Sequence, residues 1–482
     1  MNAPLRKVAI AIFVLFGLLF VNLNYVQFVK GDEYRRNPGN ARVRISDYER
    51  ARGAIVVDGQ AIATSKETSG KLKFQREYPA GKLYGQITGY QSLIFGNTGI
   101  EAAENPVLSG DDDRLFVGRV SALVTGEKPR GGNVVLTLDK EVQQTTTEVL
   151  GDQPGAAVAL DPRTGAILGL VSNPSYDPNP FASHSDAPQQ EAFKELNADP
   201  SKPLLNRALN ETYPPGSTFK VVMSSALLKE GFTPDTVVDA PDRYTPPQTT
   251  KFIQNFAGES CFGGKATLQQ ALTISCNTPF AKLGVEKVGA DRIRAQAKLF
   301  GFTDDQLKVP LKASPSEVGP MGDPPAVAQS SIGQRDVRMT PLQGAMIAAA
   351  VANNGSLMRP YLVKEVQAPN YSTLDTTRPS EYSQALSSSQ AQDLQQMMES
   401  VVRNGTGKKA RISGVVVGGK TGTAEDGDER QDHDWFIGFA MVGGEPVAAV
   451  AVVLENAGKS SSTAAQIAGT VMRSVISQRG QR

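Results

Sequence analysis

The stretch that decides the predicted fold is GAAVALDPRTGAILGLV, residues 155–171. Two apolar runs, residues 156–160 and 166–171, flank a short segment that contains Pro162 and Gly165. Proline and glycine favour tight turns, and apolar runs on either side of a turn favour paired strands. This stretch therefore predicts an antiparallel hairpin.

Towards the C-terminus, helical patterns come first and strands return later. The predicted helices and strands lie at residues 219–228, 342–352, 415–417, 435–442, 447–454 and 464–476. Strands at both ends with helices between them are typical of an α+β fold on an antiparallel sheet. We expect such a domain at residues 151–482, with the acidic residues 425–434 as a solvated loop between two strands.

Upstream of the hairpin, residues 30–150 are predicted to form a separate β-rich unit. Short apolar runs such as residues 54–57 and 134–136 have polar residues and glycine around them, as strands usually do. Nothing in this region groups a nucleophile with a base. We therefore expect a non-catalytic pedestal domain.

The N-terminus carries an uncharged, mostly apolar run of 22 residues from Val8 to Val29, preceded by Arg6 and Lys7. As a helix it is about 33 Å long, enough to cross the hydrocarbon core of a membrane. A cleavable signal peptide is the alternative, but no small-residue cleavage site follows closely. We expect a single-pass anchor in the plasma membrane, with residues 1–7 cytoplasmic and the remainder extracytoplasmic.

The composition is that of a globular protein, and it excludes several functional classes. Of 482 residues, 40% are hydrophobic and 21% are charged. The balance of 50 basic and 49 acidic residues argues against a nucleic-acid partner. With two cysteines, a four-cysteine zinc site is impossible, and we expect no metal and no cofactor. His184 and His433 are the only histidines, and neither lies in a nucleophile-elbow context.

The predicted topology affects how the cysteine pair is interpreted. Cys261 and Cys276 are 15 residues apart and have Gly263 and Gly264 between them, so a closed loop is sterically easy. Outside the cytoplasm such a pair tends to oxidise, and in the loop-entropy model the bond stabilises by about 3 kcal/mol. The alternative is two free, buried thiols that pack as small apolar side chains.

The first motif with catalytic chemistry is YPPGSTFK, residues 213–220. Its Pro-Pro-Gly entry places Ser217 at the start of a predicted helix and Lys220 one turn later on the same face. A serine hydroxyl becomes a strong nucleophile when a neighbouring base removes its proton. A lysine is such a base when burial or nearby positive charge lowers the pKa of its ammonium group.

Two shorter motifs lie further along the chain. Ser275-Cys276-Asn277 puts a hydroxyl and a carboxamide two residues apart on a predicted loop. Residues 420–423, Lys-Thr-Gly-Thr, come after two glycines and are predicted to open a strand. Glycine at that place lets a substrate backbone approach the strand edge, and a lysine there attracts a carboxylate. Each motif alone is more often an ordinary turn.

In this order the three motifs resemble the signature of penicillin-binding proteins and class A β-lactamases. Nearly the whole chain resembles a class B penicillin-binding protein, a monofunctional D,D-transpeptidase, and most of all the compact PbpA type of actinobacteria. Further similar segments lie at residues 99–101, 136–139, 331–334, 340–343 and 435–439. No glycosyltransferase module fits before residue 150, so the bifunctional class A is not expected.

The resemblance implies a penicillin-binding transpeptidase fold, similar to that of serine β-lactamases, and a role in cell wall synthesis during division or elongation. Ser217 would attack a D-Ala-D-Ala stem peptide or a β-lactam, with Lys220 as its base. Ser275 would relay protons near Lys420, and the backbone N–H groups of Ser217 and Thr423 would form the oxyanion hole. The implied substrate-binding residues are Asn277, Thr421, Gly422 and Thr423.

The sequence leaves more than one function open. A β-lactamase needs a glutamate-bound water, and Glu286 and Glu317 lie in a suitable stretch without a motif around them. A D,D-carboxypeptidase or a non-catalytic activator of a glycan polymerase would also be compatible with the motifs. The resemblance implies a partner, a SEDS glycosyltransferase of the RodA/FtsW type, bound through the anchor and residues 31–150. Cys276 stands where aspartate is better known, which we expect to change the rigidity of the loop and leave its chemistry intact.

Overall fold

In the computed structural model of the chain, the described residues are 2–35, 47–116, 118, 120, 126, 130–305, 307–424, 432–458 and 462–480. The strands are β1 Ile55–Val57, β2 Gln60–Glu67, β3 Phe74–Glu77, β4 Gln91–Ser92, β5 Gly96–Asn97, β6 Asn133–Leu136, β7 Gly155–Leu160, β8 Ile167–Asn173, β9 Val237–Ala240, β10 Arg243–Tyr244, β11 Ile253–Gln254, β12 Gly264–Thr267, β13 Ser356–Met358, β14 Val363–Gln367, β15 Thr373–Thr376, β16 Glu381–Gln384, β17 Val416–Ala424, β18 His433–Val442 and β19 Glu445–Leu454. The α-helices are α1 Asn2–Asn24, α2 Gly31–Arg35, α3 Gly85–Thr88, α4 Gly99–Ala103, α5 Asn105–Ser109, α6 Lys140–Leu150, α7 Asp186–Ala198, α8 Lys220–Lys229, α9 Leu268–Thr273, α10 Thr278–Leu283, α11 Ala290–Leu299, α12 Pro324–Ser330, α13 Pro341–Ala352, α14 Ser388–Arg403 and α15 Thr463–Gly480.

A five-stranded antiparallel sheet lies at the centre of the larger unit, in the order β17-β18-β19-β7-β8. The predicted hairpin is its β7–β8 pair, with Val158 opposite Leu170. Helices α6 and α15 pack on one face and α13 packs on the other. Helix α13 is buried along its whole length, in keeping with its almost wholly apolar sequence. The predicted α+β fold on an antiparallel sheet is confirmed.

Strand β17 forms the edge of this sheet and differs from the prediction in where it begins. It spans nine residues, so Lys420 lies in its middle and the prediction that Lys420 opens the strand is wrong. The preceding Gly418 and Gly419 pair with β18, where a Cβ atom on either would lie within 2.3 Å of the ring of Phe439 or Phe436. The glycines therefore make room for cross-strand aromatic rings and do not end the strand.

Strand β18 begins earlier than its sequence suggests. His433 and Asp434 belong to the predicted acidic loop, yet both are buried in β18, so the solvated-loop prediction is wrong for them. Residues 425–431 of that loop lie outside the described residues. The Asp434 carboxylate accepts N–H bonds from Thr463 and Ala464 at the start of α15, and burial raises the pKa of Asp434 to about 6. Capping of a helix N-terminus explains a buried carboxylate here.

A second, six-stranded sheet has the order β15-β14-β6-β1-β2-β3. Strands β14 and β15 come from far downstream in the chain, and β14 pairs with β6 so that Val363 lies opposite Leu136. Conversely, α6 belongs to the predicted pedestal by its sequence position but packs against β8 and α15 of the larger unit. The two predicted domains thus exchange segments in space, and the boundary at residue 150 stays a prediction about the sequence.

The first helix is apolar and exposed. Helix α1 continues through the π-helical turn Tyr25–Val29, and the segment Pro4–Val29 is long and apolar enough to cross a membrane. The described side chains of this segment are almost all exposed, a pattern typical of a helix that crosses a membrane. This matches the single predicted span.

Candidate active site

Ser217 lies in the 3₁₀ turn Gly216–Phe219, which leads directly into α8 and so puts Lys220 on the first turn of that helix. Gly216 has a φ of 52°, a left-handed conformation that favours glycine, and its N–H donates to the carbonyl of Gly333 at 2.9 Å. The predicted placement of Ser217 and Lys220 on one helical face brings the Lys220 Nζ within 3.0 Å of the Ser217 Oγ.

The amine of Lys220 lies among four oxygens. Besides Ser217 Oγ, these are the backbone carbonyl of Ser275 at 2.8 Å, Asn277 Oδ1 at 2.7 Å and Ser275 Oγ at 3.4 Å. Carbonyl and amide oxygens only accept hydrogen bonds. A neutral amine therefore donates its two hydrogens to Ser275 and Asn277, and its lone pair faces the Ser217 hydroxyl. In that state Lys220 is oriented to accept the serine proton.

The electrostatics favour the neutral amine. Lys220 is wholly buried, and its burial together with the nearby Lys420 holds the pKa of Lys220 well below its ordinary value. Lys420 is also wholly buried, which lowers the pKa of Lys420 to about 7. Among the residues that the structure describes, no carboxylate forms an ion pair with either lysine. Burial without a counter-ion is the condition under which a lysine becomes a base at neutral pH.

The second motif lies on the loop between α9 and α10, facing the first. Ser275 has a φ of 65°, a strained conformation for a residue with a side chain. This conformation accompanies a carbonyl turned to Lys220 and a hydroxyl that accepts from the Lys420 Nζ at 2.8 Å. Ser275 therefore bridges the two buried lysines, as a proton relay requires.

The loop that carries the second motif is fastened to the segment before it. A disulfide joins Cys261 and Cys276, so the predicted pairing is confirmed and the two thiols are not free. The Asn277 Nδ2 donates to the backbone carbonyl of Gln254 at 3.0 Å, and the Asn277 N–H donates to the Asn255 Oδ1 at 2.7 Å. These contacts fix which end of the Asn277 amide faces Lys220.

The third motif approaches the turn of Ser217 backbone to backbone. A Cβ on Gly216 would lie 2.4 Å from the carbonyl oxygen of Thr423, and one on Gly422 would lie 2.6 Å from that of Pro215. Glycine at both positions is thus required by the close approach. The Trp435 indole N–H of the neighbouring strand donates to the Pro214 carbonyl at 3.1 Å and fastens this contact from behind.

Above these groups lies a cleft of about 470 Å³. Of the predicted site residues, Ser217, Ser275, Asn277, Thr421 and Thr423 line it. Lys220 and Lys420 are buried beneath the hydroxyl groups they contact, and Gly422 packs against the turn of Ser217. The structure therefore brings all the predicted residues of the three motifs together.

Several residues of the cleft wall carry no signal in the sequence that would have predicted them. Gln334 and Asp432 also line the cleft, but they belong to the segments 331–334 and 425–434 that the sequence analysis named; the residues without a signal include Gln254, Asn255, Glu259 and Thr406. The Thr406 hydroxyl lies 2.6 Å from that of Thr421 and extends the row of hydroxyl groups along β17. No pattern in the sequence marks these residues, because they come from separate loops that meet only in the folded chain.

The cleft has the parts of a serine acyl-transfer site. Within the described ranges, no group of three or more His, Cys, Asp or Glu side chains is arranged to hold an ion. Neither Glu286 nor Glu317 lines the cleft that contains Ser217, so neither lies where the sequence analysis considered it for a hydrolytic water. A serine hydroxyl held beside a buried lysine that a second hydroxyl also contacts is an arrangement typical of serine acyl-transfer sites.

The family comparisons agree with this chemistry. Residues 155–473 match the family described as penicillin binding protein transpeptidase domain, and residues 52–134 match the penicillin binding protein A dimerisation domain. The chain is 42% identical over 486 residues to the peptidoglycan D,D-transpeptidase PbpA of Mycolicibacterium smegmatis, a match that covers 99% of this chain and 98% of that protein. It is 41% identical over 487 residues to PbpA of Mycobacterium tuberculosis, again covering 99% and 98%.

Solved structures are similar over most of the chain. The crystal structure of PBPA from Mycobacterium tuberculosis has a TM-score of 0.85 at 40% identity and covers 89% of this chain and 100% of its own. The imipenem acyl-enzyme complex of that protein has a TM-score of 0.86 at 41% identity, covering 90% and 100%. A D,D-transpeptidase domain from Eggerthella lenta has a TM-score of 0.78 at 32% identity, covering 90% and 100%.

Proposed function

The chain belongs to the penicillin-binding protein transpeptidases, and on that premise we propose that it is a peptidoglycan D,D-transpeptidase that cross-links stem peptides through an acyl-enzyme on Ser217. The observation that carries the proposal is the hydrogen-bond set of Lys220, whose amine contacts the Ser217 hydroxyl and two obligate acceptors. The name of the relatives and the imipenem acyl-enzyme of the similar Mycobacterium tuberculosis protein support it.

In the acylation step, the Ser217 Oγ attacks the carbonyl carbon of the penultimate D-Ala of the donor peptide, and the hydroxyl proton passes to Lys220. The negative charge that develops on the carbonyl oxygen is held by the backbone N–H groups of Ser217 and Thr423. Removal of one such donor typically costs 10²–10³ in rate, on the order of 3–4 kcal/mol. The close backbone approach at Gly216 and Gly422 supports this pairing of the two N–H groups.

The amide bond to the terminal D-Ala then breaks, and its nitrogen receives a proton. Ser275 is placed for this transfer, because its hydroxyl lies 3.4 Å from the Lys220 Nζ and 2.8 Å from the Lys420 Nζ. An amine of a second stem peptide attacks the ester, its proton returns through Lys220 to the Ser217 oxygen, and the new cross-link leaves. With water as the acceptor, the same steps give D,D-carboxypeptidation.

The donor peptide, or a β-lactam, is bound by the cleft wall. Asn277 holds a peptide carbonyl through its amide, while Thr421, Gly422 and Thr423 of the edge strand face the terminal carboxylate and backbone. Lys420 lies beneath this strand edge, where its Nζ donates to the Ser275 hydroxyl and to the Thr421 carbonyl. An edge strand offers unpaired backbone groups to an extended peptide, which supports binding along β17.

Intact-mass spectrometry of the full-length chain in detergent tests the chemistry. Incubation with penicillin G is expected to add one stable penicillin to the wild type and none to Ser217→Ala. A transient adduct with accumulating hydrolysed penicillin would instead make the chain a β-lactamase. Absence of any adduct would refute the catalytic proposal.

A second assay separates transpeptidation from carboxypeptidation. A D-Ala-D-Ala stem peptide is supplied with and without an amine-bearing acceptor peptide, and the products are resolved by liquid chromatography with mass detection. A cross-linked dimer supports the transpeptidase, whereas release of D-Ala with water as the sole acceptor would make the chain a carboxypeptidase. Ser217→Ala is the blank for both products.

We also propose where the protein works and with what partner. Residues 8–29, which lie within the apolar helix Pro4–Val29, anchor it in the plasma membrane, with residues 1–7 cytoplasmic, a pedestal at 30–150 and a catalytic domain at 151–482 outside. The partner is a SEDS glycosyltransferase of the RodA/FtsW type, contacted through the anchor and pedestal. Charged substitutions in the anchor or pedestal should lower glycan polymerisation in a reconstituted pair; unchanged polymerisation throughout would refute this partner.

A further inference from the structure

The segment of residues 253–262, which we name the clamp loop, forms one wall of the cleft and is joined to the second motif by the disulfide. Asn255 is its buried polar residue, with 5% of its surface exposed. No sequence motif points to this position, and none of the steps proposed above uses it. Its contacts nevertheless converge on the residues around Lys220.

The Asn255 side chain accepts hydrogen bonds from the free backbone N–H groups at the start of helix α10. Its Oδ1 accepts the N–H of Asn277 at 2.7 Å, the N–H of Thr278 at 3.2 Å and the hydroxyl of Thr278 at 3.3 Å. Its Nδ2 donates to the Glu259 carbonyl at 3.2 Å, which closes the clamp loop on itself. The first N–H groups of a helix lack internal partners, so one side chain from outside the helix satisfies two of them.

These contacts set the orientation of Asn277. The backbone of Asn277 is held by Asn255, and its Nδ2 is held by the neighbouring Gln254 carbonyl. The remaining end of the amide, Oδ1, then faces the Lys220 Nζ at 2.7 Å. The clamp loop thereby determines that an acceptor, and not a second donor, faces the amine.

Asparagine and aspartate cap helices about equally well, so capping alone does not explain why an asparagine is present here. The two side chains differ in charge. An aspartate would accept the same two N–H bonds and would stay ionised beside them, although it would lose the bond that the Asn255 Nδ2 donates to the Glu259 carbonyl. Its negative charge would be separated from Lys220 by Asn277 alone, because Asn255 holds the Asn277 backbone N–H at 2.7 Å and the Asn277 Oδ1 lies 2.7 Å from the Lys220 Nζ. The groups that face the Lys220 amine are Lys420, the uncharged polar Ser217, Ser275 and Asn277, and the ring of Phe280 at 5.7 Å.

We propose that Asn255 is a positioning residue for acylation: it fixes the loop of Ser275 and Asn277 against Lys220 and, being uncharged, leaves Lys220 free to shed its proton. The inference rests on the proposed function, in which Lys220 is the base. The clamp loop would then influence both the protonation of Lys220 and the position of the loop that carries Ser275 and Asn277.

The test uses full-length protein and the second-order rate of acylation by penicillin G between pH 5.5 and 9.5. We expect the rate of the wild type to rise with pH, because acylation needs the neutral amine of Lys220. In Asn255→Asp the rising limb is expected to move to higher pH by about one unit or more, because a nearby carboxylate favours the ammonium form. Recovery of the rate at high pH demonstrates that the variant is folded.

Two further variants complete the experiment. Asn255→Ala removes the acceptor and adds no charge, so its rate should fall at least tenfold at every pH while the limb stays in place. Lys251→Gln is the matched control, because it also changes the net charge by one unit toward negative, on an exposed residue just before the clamp loop. We expect Lys251→Gln to have the same acylation rate as the wild type and the same pH range over which that rate rises.

The outcomes separate the inference from the function on which it rests. An unmoved limb in Asn255→Asp, or a wild-type rate in Asn255→Ala, overturns the inference while the wild type is still acylated. An equal shift in Lys251→Gln overturns it too, because the effect would then be one of net charge. A wild type that is not acylated at any pH overturns the proposed function and the inference together.

Discussion

Ionisable side chains are buried in two places in this molecule, once with counter-ions and once without them. In the pedestal, Glu101 is wholly buried with Arg52 and Arg76, whose Nε atoms lie 2.5 and 2.6 Å from its two carboxylate oxygens. In the cleft, Lys220 and Lys420 are equally buried and meet only neutral acceptors. The first cluster has counter-ions and, among the residues that the structure describes, the second has none.

The difference explains what each cluster can do. Burial alone would raise the pKa of Glu101, but Arg76 and Arg52 outweigh it and hold that pKa below its usual value, so the carboxylate stays charged. The two lysines have no such compensation, and burial pushes them toward the neutral form. A paired buried charge holds structure together, whereas an unpaired one is ready to exchange a proton.

The largest effect is expected when the buried lysine beside Ser217 in the cleft is replaced. Lys220→Met should slow acylation by penicillin by about 10²–10⁴, the usual contribution of a general base, while the chain still folds. Stopped-flow acylation measures the rate, and circular dichroism checks the fold. Lys220→Arg is the control: it keeps a cation but cannot lose its proton. If Lys220→Arg acylates at the wild-type rate, the lysine acts by its charge and not as a base.

The next effect breaks the structural half. Glu101→Gln leaves Arg52 and Arg76 without a counter-ion and should lower the free energy of unfolding by about 3–5 kcal/mol. Acylation by the protein that remains folded should be unchanged. Denaturant unfolding gives the first quantity and active-site titration the second. Glu77→Gln, which removes the exposed ion pair of Glu77 with Lys66, is the matched control and should cost at most about 1 kcal/mol. Equal losses in both variants would contradict the comparison.

A smaller effect is expected on how the free energy of unfolding depends on pH. Between pH 7 and about pH 10 the unfolded chain keeps its lysines protonated, whereas folded Lys420, with a pKa of about 7, has lost its proton. The unfolded state then binds more protons, so the free energy of unfolding rises with pH, by at most about 1.4 kcal/mol per unit for each such lysine.

Denaturant unfolding at pH 7.5 and pH 9 measures this slope. Lys420→Met should reduce the gain in stability between the two pH values, whereas Lys194→Met, on the exposed part of α7, should leave it as in the wild type. A gain that is the same in all three proteins would mean that Lys420 is not buried as a neutral amine.

The smallest effect concerns the disulfide between Cys261 and Cys276. A reductant should slow acylation several-fold and no more, because the contacts of Asn255 and Gln254 still hold Asn277, at about 1 kcal/mol for each hydrogen bond. The Cys261→Ser, Cys276→Ser double variant should not respond to the reductant. If both proteins respond equally, the bond has no part in positioning the site.

Much of this site was predictable from local sequence. Ser217 and Lys220 belong to one helical turn, so their contact is a consequence of the spacing alone. The resemblance to penicillin-binding proteins is confirmed by the family match over residues 155–473, as are the antiparallel sheet and the disulfide by the structure. The domain limits, the roles of the site residues and the SEDS partner stay predictions.

Two errors share one cause. Gly418 and Gly419 are typical of a turn, yet the rings of Phe439 and Phe436 across the strand need the space that glycine leaves. His433 and Asp434 are polar and lie in an acidic stretch, yet Asp434 is buried because it caps α15. In both cases a partner distant in sequence overrode the local preference.

By itself, the sequence determined the features that depend on neighbours along the chain: the apolar N-terminal helix, the hairpin, the helical turn of Ser217 and the chemical identity of the three motifs. Only the tertiary structure decided the exchange of β14 and α6 between the two units, the neutral surroundings of Lys220 and Lys420, and the contacts of Asn255. The physical reason is that burial and hydrogen-bond partners depend on segments that meet only after folding, and these set the pKa of the lysines.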